Sequence, residues 1–508
     1  MRARRRSDLQ ALGLAAVSGP LYAAAQPGCG WWPLAPICLV PLLLALRGRR
    51  WPVRFGLAWL AGTIAGATTA GPTLAAAGER FFALSAPSTA LLVAAATQIY
   101  GALPIAVFGT LCGDPGREPA GLWTWRVAAS WTACELARSS FATGVPWGLL
   151  AHSLAAVPGL IQLASIGGIF LVGFALALAN ASLAGLALPR ARPRAALTLA
   201  AVAGAAALAA AALPQSSLRV DERATVRLVQ PNLPVSSRLL RSGWSQELSG
   251  LRDLTLAGRR SVDLAIWPEN AVGLPLPANT GPLERRVADL EGTVSHLIVG
   301  APWIDSDREG RFRNSAALLE PGRGLIARYD KRRLVPFAEY TPQPFALLLG
   351  NRGLYVAGHG PALLHAGPAV VAPLICFEVS YPDLARQSVL EGATLLVNLS
   401  NDAWLDGTAG PDQHLAAAVF RAVETRRSVV RSTNTGVTAA IDPWGRVLAR
   451  LPAHEAAFLD VDVPLIRERT LYSRLGDWPV IALCALPIVS VFRRRLDARK
   501  RPGIGSAL

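Results

Sequence analysis

Ala372-Pro-Leu-Ile-Cys-Phe-Glu-Val-Ser380 is a short apolar run that ends on a thiol, Cys376, before the chain turns into a helix-like segment near Tyr381. A sulfhydryl at the end of a buried strand faces whatever cavity lies above that strand, which makes Cys376 a candidate nucleophile. Of the six cysteines, Cys29, Cys38, Cys112, Cys134 and Cys484 fall in or at the edge of long apolar segments. Cys376 therefore has no disulfide partner within its own part of the chain. A lone buried Cys ordinarily packs as a small hydrophobe, and only its companions elsewhere in the sequence argue otherwise.

The surrounding chain of 508 residues is 52% hydrophobic, with a positive mean hydropathy. That is too apolar for a soluble enzyme and too uneven for a pure membrane bundle, so it reads as two bodies. The net charge of +16 raises nucleic acid as a partner. The arginines, however, cluster at the ends of apolar segments, where membrane topology requires them, and no nucleic-acid function is expected. Lysine usage is more telling: among 50 basic residues only Lys331 and Lys500 are lysines. A chain that otherwise uses Arg keeps Lys331 where a compact point charge is needed.

Apolar segments predict spans at about Leu9 to Ala25, Trp31 to Leu46, Phe55 to Ala76, Ala86 to Leu111, Leu122 to Ser139, Leu160 to Leu188, Ala195 to Leu213 and Trp478 to Val491. The first could be a cleaved signal peptide, but apolar spans continue directly after it. Seven spans before the soluble part and one after it place both termini on one side. The Arg clusters at 2–6, 47–50, 190–194 and 493–501 then share a face, which the positive-inside tendency makes cytoplasmic. The expected division is a seven-span domain over 1–215, an extracytoplasmic domain over 216–474, and a final span with a basic tail over 475–508. Glu135 and Arg138 lie three apart on one helical face in apolar surroundings, either as functional groups or as a mutual ion pair.

From Ala224 the pattern changes to short β-rich runs alternating with helical segments, the signature of an α/β or α+β domain. Predicted strands are Thr225 to Val229, Leu264 to Trp267, Leu297 to Ala301, Ser315 to Leu319, Leu325 to Tyr329, Ala369 to Ile375, Leu395 to Leu399, Val429 to Ser432, Thr438 to Asp442 and Ala457 to Val461. Three of these runs end on chemistry: Trp-Pro-Glu269, Tyr-Asp-Lys331 and Leu-Ile-Cys376. Strand ends are where open α/β sheets gather their functional groups.

Glu, Lys and Cys together suit acyl transfer. A thiol with pKa near 8.5 is mostly protonated at neutral pH, so Cys376 needs a base, a role open to Glu269. Lys331 and a backbone N–H beside Cys376 would stabilise the tetrahedral oxyanion. The product of the first step is a thioester that a second substrate resolves.

Trp-Pro-Glu269, Tyr329-Asp-Lys331-Arg-Arg-Leu-Val-Pro-Phe337-Ala-Glu-Tyr340, Ile375-Cys-Phe-Glu378 and Asn398-Leu-Ser-Asn-Asp-Ala-Trp404 resemble the nitrilase (carbon-nitrogen hydrolase) superfamily. Within it, the sequence is similar to the apolipoprotein N-acyltransferase family, with supporting matches in Val229-Gln-Pro-Asn232, Arg431-Ser-Thr-Asn-Thr-Gly436 and the segment through Glu135 and Gly144-Val-Pro-Trp147. The resemblance implies a bacterial inner-membrane protein of about eight transmembrane helices carrying a periplasmic α-β-β-α sandwich. It implies Glu269 as general base, Lys331 as oxyanion stabiliser, Cys376 as nucleophile, and Glu339 and Glu378 as further functional carboxylates. Phe377 stands where many members have Tyr, and Leu239 where the family often has Trp.

Also implied are a membrane phospholipid as acyl donor, a diacylated apolipoprotein as acceptor, no cofactor, and a monomer. Loops expected over the site are Pro344 to Gly350 and that of Trp404. Two other readings compete: a membrane-anchored amidase with water as acceptor, and a non-catalytic lipoprotein-binding protein. No metal is expected, because the six histidines are scattered singly without ligand spacing.

Overall fold

The computed structural model describes residues 2–80, 84–140, 144–189, 191–212, 220–233, 244–273, 275–276, 280–304, 310–342 and 353–486. Its N-terminal half is helical: α1 (Arg2–Ala25), α2 (Val40–Leu46), α3 (Trp51–Thr69), α4 (Gly71–Arg80), α5 (Ala86–Ala96), α6 (Leu103–Leu111), α7 (Ala120–Ser140), α8 (Ala164–Leu186) and α9 (Arg192–Ala212). A π-helical turn, Thr97–Ala102, joins α5 to α6 as one rod of 26 residues. Among the described residues, three helices are long and apolar enough to cross a membrane: Ala86–Leu111, Ala164–Leu186 and Arg192–Ala211.

The remaining expected spans differ in instructive ways. Helices α1 and α7 run for 24 and 21 residues, but Arg2 to Asp8 in one and Arg126, Glu135 and Arg138 in the other dilute their apolar character. The segment expected to span from Trp31 to Leu46 is not one helix. Prolines interrupt it, leaving a short turn, Trp32–Leu34, and the seven residues of α2. The third divides at Ala70, just before Gly71-Pro72, into α3 and α4. The last is helical over 478–486, and its remainder lies outside the described residues.

Among the described residues, the C-terminal half contains twelve strands: β1 (Glu222–Gln230), β2 (Val262–Ile266), β3 (Val294–Ile304), β4 (Phe312–Glu320), β5 (Gly324–Asp330), β6 (Leu364–Ala366), β7 (Ala369–Ile375), β8 (Leu395–Ser400), β9 (Ser428–Thr433), β10 (Ala439–Ile441), β11 (Val447–Arg450) and β12 (Ala457–Leu465). They form two six-stranded sheets, ordered β12-β1-β2-β3-β4-β5 and β11-β10-β9-β8-β7-β6. β1, β2 and β3 are parallel, as are β7, β8 and β9. Parallel neighbours need crossovers, supplied by α10 (Trp244–Leu256), α11 (Gly281–Val287), α12 (Pro382–Leu390) and α13 (Gly410–Thr425).

Three apolar layers hold this together. Between the sheets, Val226, Leu228, Ile266 and Leu318 meet Val371, Ile375, Val397 and Val430. On the outer face of the first sheet, Trp267, Leu297 and Val299 pack with Leu248 and Leu251 of α10 and Leu283 of α11. The result is the expected α-β-β-α sandwich. On the outer face of the second sheet, Leu374, Leu396 and Val429 share one continuous core with Leu384 of α12, Phe420 of α13, and Phe108, Trp131 and Phe174 of the helical half. That layer of the sandwich is thus also the layer that docks on the helices.

Candidate active site

Glu269, Lys331 and Cys376 follow β2, β5 and β7 respectively, and all three line one cavity of about 610 Å³. Each strand delivers its residue differently. The Pro268-Glu269 segment lies across Gly300 of β3, where an added Cβ would sit 2.3 Å from the Pro268 carbonyl oxygen; only glycine permits that approach. Glu269 is 4% exposed. Its Oε1 accepts from Asn314 Nδ2 at 2.8 Å and Lys331 Nζ at 3.5 Å, and its Oε2 from the Asn401 N–H at 3.0 Å.

Lys331 is 1% exposed. Its Nζ also donates to Glu339 Oε1 at 3.0 Å, and its own peptide groups are held by the Asn314 carbonyl and the Gly358 N–H, both at 2.8 Å. Burial opposes the ammonium, but the carboxylates of Glu339 and Glu269 outweigh it and hold the Lys331 pKa well above that of an ordinary lysine. The site therefore contains a permanent cation. Glu339 is itself fixed from behind, its Oε2 accepting from the Val335 N–H at 2.7 Å.

Cys376 has φ +54, a conformation uncommon for a residue with a side chain. The strand stops there and a tight turn, Cys376–Ser380, begins. Burial first, and the Glu269 carboxylate next, push the thiol pKa up, while Lys331 pulls it down. The sulfur thus rests as a thiol and must give up its proton as it reacts.

Glu378 and Phe377 divide the labour after the cysteine. Glu378 is fully buried and does not line the cavity. It accepts from the N–H groups of Arg332, Arg333 and Ile375 at 2.7, 3.0 and 2.8 Å and from the Tyr329 hydroxyl at 2.9 Å. This one carboxylate ties the loop after Lys331 to the end of β7. Phe377 does line the cavity. Its ring packs 5.9 Å from that of Trp147 and 5.2 Å from that of Tyr381.

Two parts of the site, Asn314 and the His414 cluster behind Cys376, were not singled out by the sequence reading, and Glu135, Arg138 and Trp147, which were named there, form a third. Asn314, within β4 and 1% exposed, uses a single Nδ2 to reach both Glu269 and, at 3.0 Å, Glu339. Behind Cys376, its carbonyl accepts from His414 Nε2 at 2.9 Å and Asn398 Nδ2 at 3.2 Å. His414 Nδ1 lies 3.1 Å from Asp402 Oδ1 and 3.0 Å from Arg431 Nη2, and Arg431 also binds Asp402 and Asn398. The third part is the Trp147 loop between α7 and α8. Arg138 donates to the carbonyls of Trp147 and Gly148, both at 3.0 Å, and Glu135 Oε1 accepts from the Leu150 N–H at 2.8 Å. Arg138 and Glu135 are also 3.7 Å apart. Asn398, Asp402 and Arg431 lie within the motifs that carry the resemblance, which was the available signal; Asn314 and His414 lie outside them.

The Trp404 loop reaches the cavity wall, whereas Pro344 to Gly350 and Leu239 lie outside the described residues. The cavity extends from Cys376 deep into the helices, past Leu74, Leu92 and Tyr100 to Phe108 and Trp131. Such a volume, largely apolar in its lining, fits a ligand with a long hydrocarbon part. Among the described residues no cluster of His, Cys, Asp and Glu suited to a metal ion occurs.

Residues 18–182 match the apolipoprotein N-acyltransferase N-terminal domain, and residues 199–471 match carbon-nitrogen hydrolase. The chain is 34% identical to the apolipoprotein N-acyltransferase of Azotobacter vinelandii, with 96% of each chain covered. It belongs to the apolipoprotein N-acyltransferase family. The family member of Geobacter metallireducens is 33% identical, with 95% of each chain covered. Among solved structures, an amidase from Nesterenkonia sp. aligns over 49% of this chain and 93% of its own, at 18% identity and a TM-score of 0.37. In this member of the apolipoprotein N-acyltransferase family, Phe377 supplies a ring without a hydroxyl beside the cysteine.

Proposed function

We propose that this chain is an apolipoprotein N-acyltransferase that moves a fatty acyl group from a membrane phospholipid, through a thioester on Cys376, to the α-amine of an N-terminal S-diacylglyceryl cysteine. The observation that carries this reading is the cavity that runs from Glu269, Lys331 and Cys376 into the helical half. An amidase of small soluble substrates has no use for such a slot, whereas an acyl chain fills it.

In the first step Cys376 Sγ attacks the ester carbonyl of the phospholipid. Glu269 takes the thiol proton, and the carbonyl oxygen becomes an oxyanion facing Lys331 Nζ and a backbone N–H. Collapse breaks the ester C–O bond. Glu269 returns the proton to the departing alkoxide, releasing lysophospholipid and leaving the thioester. In the second step the neutral amine of the acceptor attacks the thioester, Glu269 accepts its proton, and the thiol is regenerated as the amide forms. Aminolysis outruns hydrolysis only where water is excluded, a condition that the apolar lining favours.

This reading is accompanied by a topology of about eight spans, with the sandwich over 216–474 on the periplasmic side of the inner membrane, both termini cytoplasmic, and the protein acting as a monomer. Glu339 supports Lys331, Glu378 positions the turn after Cys376, and Phe377 shapes the wall. The deciding experiment incubates purified protein in detergent with phosphatidylethanolamine and a diacylated lipopeptide. A mass gain of one acyl group on the peptide amine is expected; release of free fatty acid with an unchanged peptide would assign water as the acceptor instead.

A further inference from the structure

The peptide between Cys376 and Phe377 is gripped by side chains of β8 and α13, of which His414 also borders the cavity. Its carbonyl accepts from His414 Nε2 at 2.9 Å and Asn398 Nδ2 at 3.2 Å. A carbonyl only accepts, so the His414 proton must sit on Nε2. Burial and the adjacent Arg431 lower the His414 pKa, the opposing pull of Asp402 being the smaller, and Nδ1 faces both Arg431 Nη2 at 3.0 Å and Asp402 Oδ1 at 3.1 Å. Asp402 is 1% exposed and is held by Arg431 and by the Ser400 hydroxyl at 2.8 Å. The guanidinium, the carboxylate and the imidazole thus fix one another, and their single output is a hydrogen bond to the Cys376 carbonyl.

A trans peptide is planar, with N–H and C=O pointing in opposite directions. Holding the Cys376 carbonyl toward His414 therefore fixes the Phe377 N–H in the opposite direction. That N–H opens the turn Cys376–Ser380, where the first amides of a helical turn lack partners within it. The positive φ at Cys376 needs such external restraint, because an unrestrained cysteine would relax out of it.

We propose that His414, set by Asp402 and Arg431, is a positioning residue that locks the Cys376–Phe377 peptide so that its N–H serves the oxyanion. This rests on the thioester route proposed above and names the part of the protein that keeps one oxyanion donor in place. His414 acts through the peptide plane, not on the sulfur, so it governs carbonyl attack and not the intrinsic reactivity of the thiol.

The test compares unmodified protein with His414→Leu, which removes the donor at similar volume, and His414→Gln, which retains an N–H. Two rates are measured at Cys376: single-turnover acylation by phosphatidylethanolamine, followed by intact mass, and alkylation by iodoacetamide, which passes through no oxyanion. His414→Leu should lower the acylation rate about a hundredfold, the typical effect of losing one oxyanion donor. KM for phospholipid and the alkylation rate should stay within about twofold, and His414→Gln should recover most of the acylation rate. Unchanged acylation in His414→Leu overturns the inference, as does alkylation falling in step with acylation, or a Gln variant as slow as the Leu variant. Unmodified protein that never acylates at Cys376 overturns the thioester route itself, and the inference with it.

Discussion

Trp147 of the helical half donates its indole N–H to Gln413 Oε1 of α13 at 2.5 Å. The same ring lies 5.5 Å from that of His414, and Gln413 in turn donates to the Thr69 carbonyl at 3.2 Å. The Tyr381 hydroxyl adds a bond to the Gly144 carbonyl at 2.9 Å. A loop from one half is therefore a wall of the site in the other.

Arg138 and Glu135 fasten that loop and lie 3.7 Å from each other, so the ion pair and the loop contacts occur together. Arg138→Leu strands two carbonyls, at about 1–3 kcal/mol each. Expected is a lower unfolding temperature together with a tenfold or greater loss of acyl transfer. Glu135→Gln keeps an acceptor for the Leu150 N–H and should be mild. Thermal unfolding in detergent alongside an activity assay checks this, and equal losses in the two variants would contradict it.

Cys376→Ala should leave no acyl-enzyme after incubation with phospholipid. Intact-mass spectrometry reads the adduct directly, and an adduct on the variant would move the nucleophile elsewhere.

Lys331→Arg should be nearly as damaging as Lys331→Ala, each lowering the rate about a hundredfold or more. The ammonium is enclosed and already meets two carboxylates, so a wider planar head displaces them. Full activity of the Arg form in the steady-state assay would mean that charge alone suffices.

Asn314→Leu removes an amide donor that Glu269 and Glu339 share, leaving Lys331 as the other donor common to both. The expected outcome is a kcat lowered about tenfold to a hundredfold with KM little changed, since the variant misplaces the base and not the lipid. A KM effect alone would locate Asn314 in lipid binding.

His414 also sets a pH dependence of stability. Its pKa in the native state lies below the ordinary value of about 6.5, so the unfolded chain takes up a proton that the native state resists. Its contribution is present above about pH 6.5 and is lost as pH falls toward the native value. Unmodified protein should lose more unfolding temperature between about pH 7 and 5 than His414→Gln, which carries no titrating group there. Parallel curves would show that the imidazole does not titrate differently on unfolding.

Much of the architecture follows from local pattern. All ten expected strands occur, because each is a short apolar run bounded by turn or helical segments. The two that escaped notice, β6 and β11, are edges: one is three residues long and the other is mostly exposed. Glu269, Lys331 and Cys376 stand out because each ends a strand. Asn314 and His414 do not, since a polar residue inside a strand or helix acquires meaning only from partners brought up by the fold. The broken segment between Trp31 and Leu46 was read by hydropathy, which ignores where prolines fall.

The shared core beneath the second sheet limits how this protein could be dissected. Residues 216–474 expressed alone would present Leu384 and Phe420 beside an unroofed apolar face, and would lose Trp147 from the site. Such a fragment should need surfactant to stay dispersed even with every strand intact, so the helices of the N-terminal half serve the sandwich as a further wall.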